Sequence, residues 1–347
     1  MMGKLYSIIL ALLLVVGCTS VRLEDDAMGK KASYSDFGGI TELHGEVFDL
    51  DTVWRPTKLF LADSLLCLID RTCDRQVQIF SKNNRGKVGE NIPYGIGPNE
   101  SLSCWTLQIG NNNVHSFDLT AGEIRSYNKN SFLLKNDASY DRSVSIGGAA
   151  DIVALKNGNY VAYCLSEDKT LLELYDSSGS KLNVHTDFPK MSIGQSFSDY
   201  QMKRCFETRL YYNEKNDRIF VTYSYTDLFD IYDSNLKLLH RIHGPDQFIP
   251  EFKGDDIDIA PTQNTKYSSV CSCLTDNYIW VLYFGSNTLD SFADKVLVFD
   301  YQGNPKKVYH LDIPILGIAA DESEKTIYGI AEHPEFCVIK FNYEKQD

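Results

Sequence analysis

Leu172-Glu173-Leu174-Tyr175-Asp176-Ser177-Ser178-Gly179 reads as a short apolar strand with an aromatic near its end, stopped by aspartate and a glycine turn. The same phrase recurs as Gln76-Val77-Gln78-Ile79-Phe80, Glu123-Ile124-Arg125-Ser126-Tyr127, Phe229-Asp230-Ile231-Tyr232-Asp233, Leu297-Val298-Phe299-Asp300 and Val338-Ile339-Lys340-Phe341-Asn342. Its aromatic marker falls at Phe80, Tyr127, Tyr175, Tyr232, Phe299 and Phe341, at intervals of 47, 48, 57, 67 and 42 residues. Each interval holds one four-stranded sheet with variable loops, and recurrence on this scale is the mark of a repeat architecture.

The strands ahead of each marker are short apolar or alternating runs, such as Leu65-Leu66-Cys67-Leu68-Ile69-Asp70 and Tyr278-Ile279-Trp280-Val281-Leu282-Tyr283. Turn signals separate them, among them Lys156-Asn157-Gly158-Asn159, Glu214-Lys215-Asn216-Asp217 and Tyr301-Gln302-Gly303-Asn304. Apart from a turn or two near Phe197 to Arg204, no long stretch holds a capped 3.6-residue period, so helix is expected to be scarce. Six sheets packed radially each bury both faces against neighbours, which predicts an all-β, six-bladed β-propeller with four-stranded antiparallel blades. The repeats are read as ending on the aromatic strand. The ring is expected to close through the N-terminal strand around Gly45 to Leu50, joined to a last blade built from residues 315–342. A β-sandwich is the alternative, but a single sandwich does not need a pattern this long.

Ahead of the repeats, Lys4 provides a positive start, Leu5 to Val16 an apolar run, and Val15-Val16-Gly17-Cys18 a lipoprotein cleavage site. The run is shorter than the roughly 20 residues needed to span a bilayer. The expected organisation is therefore a signal peptide over 1–17, a lipidated flexible tether over 18–35 carrying its acyl chains on Cys18, and a propeller domain over 36–347. That address places the protein at the outer membrane, facing the periplasm or the cell surface.

The chain has a net charge of −13, which becomes −14 when residues 1–17 and their one charged side chain, Lys4, are removed. Nucleic acid is thereby disfavoured as a partner, leaving the membrane through the lipid and a protein, peptide or glycan ligand. Eight cysteines remain after Cys18: Cys67, Cys73, Cys104, Cys164, Cys205, Cys271, Cys273 and Cys337. An even count permits disulfides, yet most sit in apolar runs where cysteine acts as a small buried hydrophobe. Cys271 and Cys273 share a strand face but lack zinc-site partners.

No GxSxG elbow, HExxH pair or Walker lysine is present. Gly95-x-Gly97 lacks the third glycine and the βαβ setting of a dinucleotide loop. It reads instead as an interblade turn with Glu100 on backbone amides. Asp255, Asp256 and Asp258 carry oxygen donors suited to Ca²⁺ and are the metal candidates, against the plainer reading of a solvated acidic loop. No other cofactor is implied. His240, His243 and Glu207 are further donors, although strand alternation sets the two histidines on opposite faces. Among 21 tyrosines, Tyr211, Tyr212, Tyr223, Tyr225 and Tyr267 near segment ends are candidate amphipathic contacts for sugars or peptides, with interblade packing as the competing role.

Tyr94-Gly95-Ile96-Gly97-Pro98-Asn99-Glu100, the run Lys295 to Pro305, Tyr309-His310-Leu311-Asp312 and Ile327-Tyr328-Gly329-Ile330 together make the chain from about residue 40 onward similar to the TolB-like six-bladed propeller lipoproteins of Bacteroidetes. The resemblance implies an exported propeller and little chemistry. It makes Asp51-Thr52-Val53 and Asp63-Ser64-Leu65 candidates for O-glycosylation. It also gives Glu24-Asp25-Asp26 two readings, a surface-export signal or a solvated linker. The leading functional expectation is a non-enzymatic binding or interaction module that uses one face of the disc. The alternative is a metal-assisted lyase or hydrolase in the central channel. A periplasmic assembly scaffold by analogy with TolB rests on fold alone.

Overall fold

Six antiparallel sheets stand around a central channel, each running from inner to outer strand in simple up-and-down order. The structure is a computed structural model and describes residues 29–189, 197–254, 259–287 and 292–344. Blade 1 comprises Lys58–Ala62, Leu65–Ile69, Arg75–Ser81 and Lys87–Pro93. Blade 2 comprises Cys104–Ile109, Asn113–Asp118, Glu123–Asn128 and Arg142–Ser145, and blade 3 Ala149–Ala154, Tyr160–Cys164, Leu172–Tyr175 and Lys181–His185. Blade 4 comprises Thr208–Asn213, Arg218–Tyr223, Leu228–Tyr232 and Leu238–His243, and blade 5 Tyr267–Leu274, Tyr278–Ser286, Ala293–Asp300 and Pro305–Ile315. Blade 6 takes Gly317–Asp321, Thr326–Glu332 and Phe336–Asn342 from the C-terminus and its outer strand, Gly45–Phe48, from the N-terminus. The closure expected from sequence is thus the one observed.

All six aromatic markers are buried, but on the third strand of each blade rather than the last. The third strands lie between two neighbours and read as continuous apolar runs. The fourth strands are partly solvated; Lys181–His185 is exposed over its first four residues. Without an apolar pattern such a strand is hard to tell from a loop. The turn into it is set by the aspartate that follows the marker: in blades 3, 4 and 5, Oδ1 of Asp176, Asp233 and Asp300 each accepts two backbone N–H groups of the turn at 2.8–3.0 Å. These are Asx turns, which hold the backbone in a tight reversal without help from the sheet.

The core is divided rather than central. Six apolar clusters occupy the six blade interfaces, such as Val161, Leu172, Leu210 and Val221 between blades 3 and 4. Each fully buried Leu, Ile, Val or Phe contributes about 1.5–3 kcal/mol. Two short helices interrupt the pattern. Asp199–Cys205 falls where the sequence suggested one, with Ser198 and Gln201 forming a reciprocal capping box. Lys129–Leu134 was not foreseen: six residues with only Phe132 and Leu133 buried carry too little periodicity.

The N-terminal segment does more than close the ring. Gly29–Lys31 pairs in parallel with the outer strand of blade 4, Ile40–Leu43 in parallel with that of blade 5, and Gly45–Phe48 antiparallel with blade 6. Residues 29–35, placed by sequence in the tether, are therefore part of this strap. Parallel pairing over three and four residues leaves no alternation to read. Phe37 anchors the strap edge-on against Phe299, with ring centroids 5.3 Å apart. The Tyr309-His310-Leu311-Asp312 element fastens it further. His310 Nδ1 bonds Glu42, which raises the imidazole pKa, and Asp312 accepts from the Gly45 amide at 2.8 Å. A Cβ on Gly45 would meet Ile339 Cγ2 at 2.5 Å, so this close approach requires glycine.

Beneath the strap, Tyr34 and Tyr283 donate to Asp246, whose amide, with that of Gln247, donates to Asp227 at 2.8 Å. The other oxygen of Asp227 is buried without a partner among the described residues. Burial pushes the Asp227 carboxyl up to about 7, against the two amides and with the Asp246 charge adding to the rise. A carboxyl whose pKa is higher folded than unfolded binds more protons in the native state, so stability should fall as pH rises from about 4 to about 7. Three pKa units correspond to at most about 4 kcal/mol. Asp227→Asn, which keeps an oxygen for both amides, is expected to flatten that slope and to exceed the wild type in stability at pH 8. Parallel pH profiles of unfolding free energy for the two proteins would refute it.

Candidate functional site

An inner strand has one edge facing the channel, where its backbone groups lack a strand partner. In this ring they are met by side chains of the preceding blade. Gln76 accepts from Cys104 N, Gln108 both donates to Ala154 O and accepts from Ala154 N, Asp151 accepts from Leu210 N, and Tyr211 accepts from Ser272 N, at 2.7–3.0 Å. These contacts stitch blades 1 to 5 in order. They also explain why polar residues sit inside strands that otherwise read as apolar.

The stitched strands enclose a cavity of about 170 Å³, lined by Phe60, Gln108, Val153, Tyr211, Cys273 and Ala319, one from each blade. Where the inner strands begin lies a mouth cavity of about 310 Å³. Trp105 stands in its wall with Lys58 Nζ 4.3 Å from the centre of its ring, and the Arg209 and Arg71 guanidinium carbons at 5.3 and 5.6 Å. Such distances give cation–π attraction of about 0.5–2 kcal/mol each. Thr57, Ser269 and Cys271 complete the polar lining, and Tyr267, Phe284 and Leu316 the apolar part.

The cations are incompletely matched. Arg209 bonds Glu207 at 3.1 Å, and Arg71 reaches Ser103 Oγ at 3.4 Å. Lys58 has no hydrogen-bond acceptor or ion-pair partner among the described residues. Burial pushes its ammonium down to about 8, Arg209 adding to the fall and Asp151 opposing it. Asp151 is buried and turned to the amides of Ile152 and Leu210, and its own pKa is raised by burial. The Trp105 indole N–H is buried without an acceptor among the described residues. A mouth so arranged has room for a group that brings negative charge and hydrogen-bond acceptors.

The face onto which this mouth opens also carries the connection from blade 1 to blade 2. There Gly97 N donates to Glu100 Oε2 at 2.7 Å, and a Cβ on Gly95, at φ 155°, would lie 2.0 Å from the same oxygen. Glu100 therefore orders the turn, as its sequence suggested. Tyr94 and Ile96 project from it, 62% and 89% exposed, and Trp54, before blade 1, is 69% exposed.

The other candidates scatter. His240 and His243 lie on one strand but face opposite sides, so they do not converge. Glu207 pairs with Arg209, whose guanidinium lies over Trp105. Tyr267 lines the mouth, and Tyr225 packs against it and against Phe252. Tyr211 lies in the channel wall, while Tyr212 and Tyr223 are buried between blades with hydroxyls on Asp217 and Asp230. Cys67, Cys104, Cys164 and Cys205 are buried free thiols whose pKa values burial raises, and no disulfide occurs among the described residues. Asp255, Asp256, Asp258 and Cys18 lie outside the described residues. Among the described residues, no three His, Cys, Asp or Glu side chains group as metal ligands would.

A family model described as TolB-like 6-blade propeller-like matches residues 36–323. Similar solved structures include one from Bacteroides fragilis, described as an exported protein, at 10% identity and a TM-score of 0.56, covering 90% of this chain and 98% of its own. Another, a member of the DUF4221 family from Bacteroides vulgatus, is 9% identical with a TM-score of 0.51, covering 86% of this chain and 95% of its own. At such identity the likeness is one of fold alone. No curated protein matches the sequence. With the model spanning five of the six blades completely and entering the sixth, on a ring whose closure and repeat agree with it, the chain belongs to the family of TolB-like six-bladed propellers.

Proposed function

We propose that the protein is a cell-envelope lipoprotein, anchored through Cys18 in the outer membrane, whose propeller is a non-enzymatic binding module for a protein, peptide or glycan. The ligand meets the face on which the channel opens. The observation that carries this reading is the mouth itself, a cavity on a rigid stitched ring with an ammonium and an indole N–H that are unpartnered among the described residues, and exposed aromatics nearby. Binding sites of this kind set a few placed polar groups in a mostly apolar hollow, and a rigid scaffold presenting loops is a common host for them.

The lipoprotein address supports the location, as does the description of the Bacteroides fragilis structure as an exported protein. Ten residues separate Cys18 from Gly29 on the outer edge of blade 4. At full stretch they reach ~40 Å, so the lipid holds the disc by its rim and leaves the mouth unobstructed. Cys18→Ala is expected to move the protein from the membrane to the soluble fraction without loss of folding. Immobilised mature protein should then retain an envelope protein, peptide or glycan that a Trp54→Ala, Ile96→Asp variant does not. Membrane retention of the Cys18 variant refutes the anchor, and capture unaffected by the face variant refutes the face.

A further inference from the structure

Three positive side chains around one indole in the channel of an acidic protein call for an explanation. The ring takes part of the charge, but the surrounding carboxylates do not balance the rest. Glu207 is engaged by Arg209, and Asp151 is occupied by two backbone amides, while among the described residues Lys58 and Arg71 lack carboxylate partners. A lysine held in the wall of a narrow cavity without an ion pair among the described residues is destabilising in the empty protein, since burial disfavours the charged form and Asp151 offsets this only in part. The opposite side of the same cavity is apolar, formed by Tyr267, Val270, Phe284 and Leu316.

We infer that the mouth cavity binds an amphipathic organic anion, its carboxylate or phosphate lying on Lys58 and Arg71 beside Trp105 and its apolar body against Tyr267, Phe284 and Leu316. This deepens the binding-module reading and rests on it. The size of the cavity, about 310 Å³, is at the lower end for ligand pockets, roughly 300–1,000 Å³. It fits a single small molecule or one terminal group of a larger ligand. Removing the head-group charge should cost most of the affinity, because a hydrogen bond to a charged partner is stronger than one between neutral groups.

The test is titration of the full folded protein with 3-phenylpropionate, phenyl phosphate, the uncharged 3-phenylpropionamide and inorganic phosphate, by calorimetry and tryptophan fluorescence. One of the two organic anions is expected to bind at least ten-fold tighter than the amide, and the stronger of them names the head group. Lys58→Met should lower that affinity at least ten-fold with an unchanged or higher melting temperature. Arg71→Met, at a more exposed position, should lower it as well. Leu182→Ser, on the exposed outer strand of blade 3 and away from the cavity, should leave it unchanged. An amide that binds as well as the acid, inorganic phosphate that matches the phenyl ester, or a Lys58→Met variant with full affinity would overturn the inference. Failure here alongside successful envelope capture removes the anion and leaves the binding face standing; failure of both removes the face.

Discussion

Asp230→Ala is expected to destabilise the protein by ~3–5 kcal/mol, the range found when one partner of a buried ion pair is removed. Asp230 and Arg241 face each other across the third and fourth strands of blade 4, fully and almost fully buried. The guanidinium grips both carboxylate oxygens, Nε on Oδ1 and Nη2 on Oδ2, each at 2.7 Å. Tyr223 and Tyr232 donate to Oδ2 at 2.6 and 3.1 Å. Alanine at 230 leaves a buried guanidinium without this carboxylate, the Tyr223 hydroxyl without its acceptor, and the Tyr232 hydroxyl with only His185 Nε2 at 3.4 Å. By contrast, the double replacement Asp230→Leu with Arg241→Met removes both charges together and should lose far less. Thermal unfolding of the two variants distinguishes them. A single variant within ~0.5 kcal/mol of wild type, the usual spread of surface changes, would show that the pair contributes little.

Removal of the strap is the second large effect. A chain beginning at Asp49 loses the outer strand of blade 6, and with it Phe48, Leu43, Phe37 and Ala32 from three interfaces. Each large apolar side chain lost removes about 1.5–3 kcal/mol. The bare strand Phe336–Asn342 then presents unpaired backbone groups to other chains, a known route to association. Such a chain is expected to unfold well below the full protein and to self-associate in gel filtration. A chain beginning at Gly45 retains the closing strand and should fall between the two, monomeric but less stable. Equal melting temperatures for both truncations would mean that Gly45–Phe48 does not hold the ring closed.

The closing strand was readable because the six markers left one blade short of a strand and a β-rich segment stood ahead of the first repeat. The strap over blades 4 and 5 was not, because parallel pairing with an outer edge demands only backbone groups and leaves no pattern in the side chains. Asp230 illustrates another limit. It sits inside one of the quoted apolar strands, yet its partner, Arg241, is identified only once strand register is known.

The mouth cavity was missed for a related reason, though a signal existed. Lys58, Trp105, Asp151 and Arg209 precede their blades' aromatic markers by 22, 22, 24 and 23 residues. They are one repeat position, the start of the inner strand, seen four times. A reading that aligned the repeats at that position would have found four polar or aromatic residues bound to meet around the axis.

What the sequence determined by itself is the local and the periodic: strands, turns, six repeats and their closure, because each is written in neighbouring residues or in a regular interval. Only the tertiary structure decided which side chains share a space. Ring closure brings residues some 150 positions apart within reach of one indole, and their charges and missing partners acquire meaning only from that proximity. Coulomb and hydrogen-bond energies depend on distance in space, which a repeat pattern constrains but does not state.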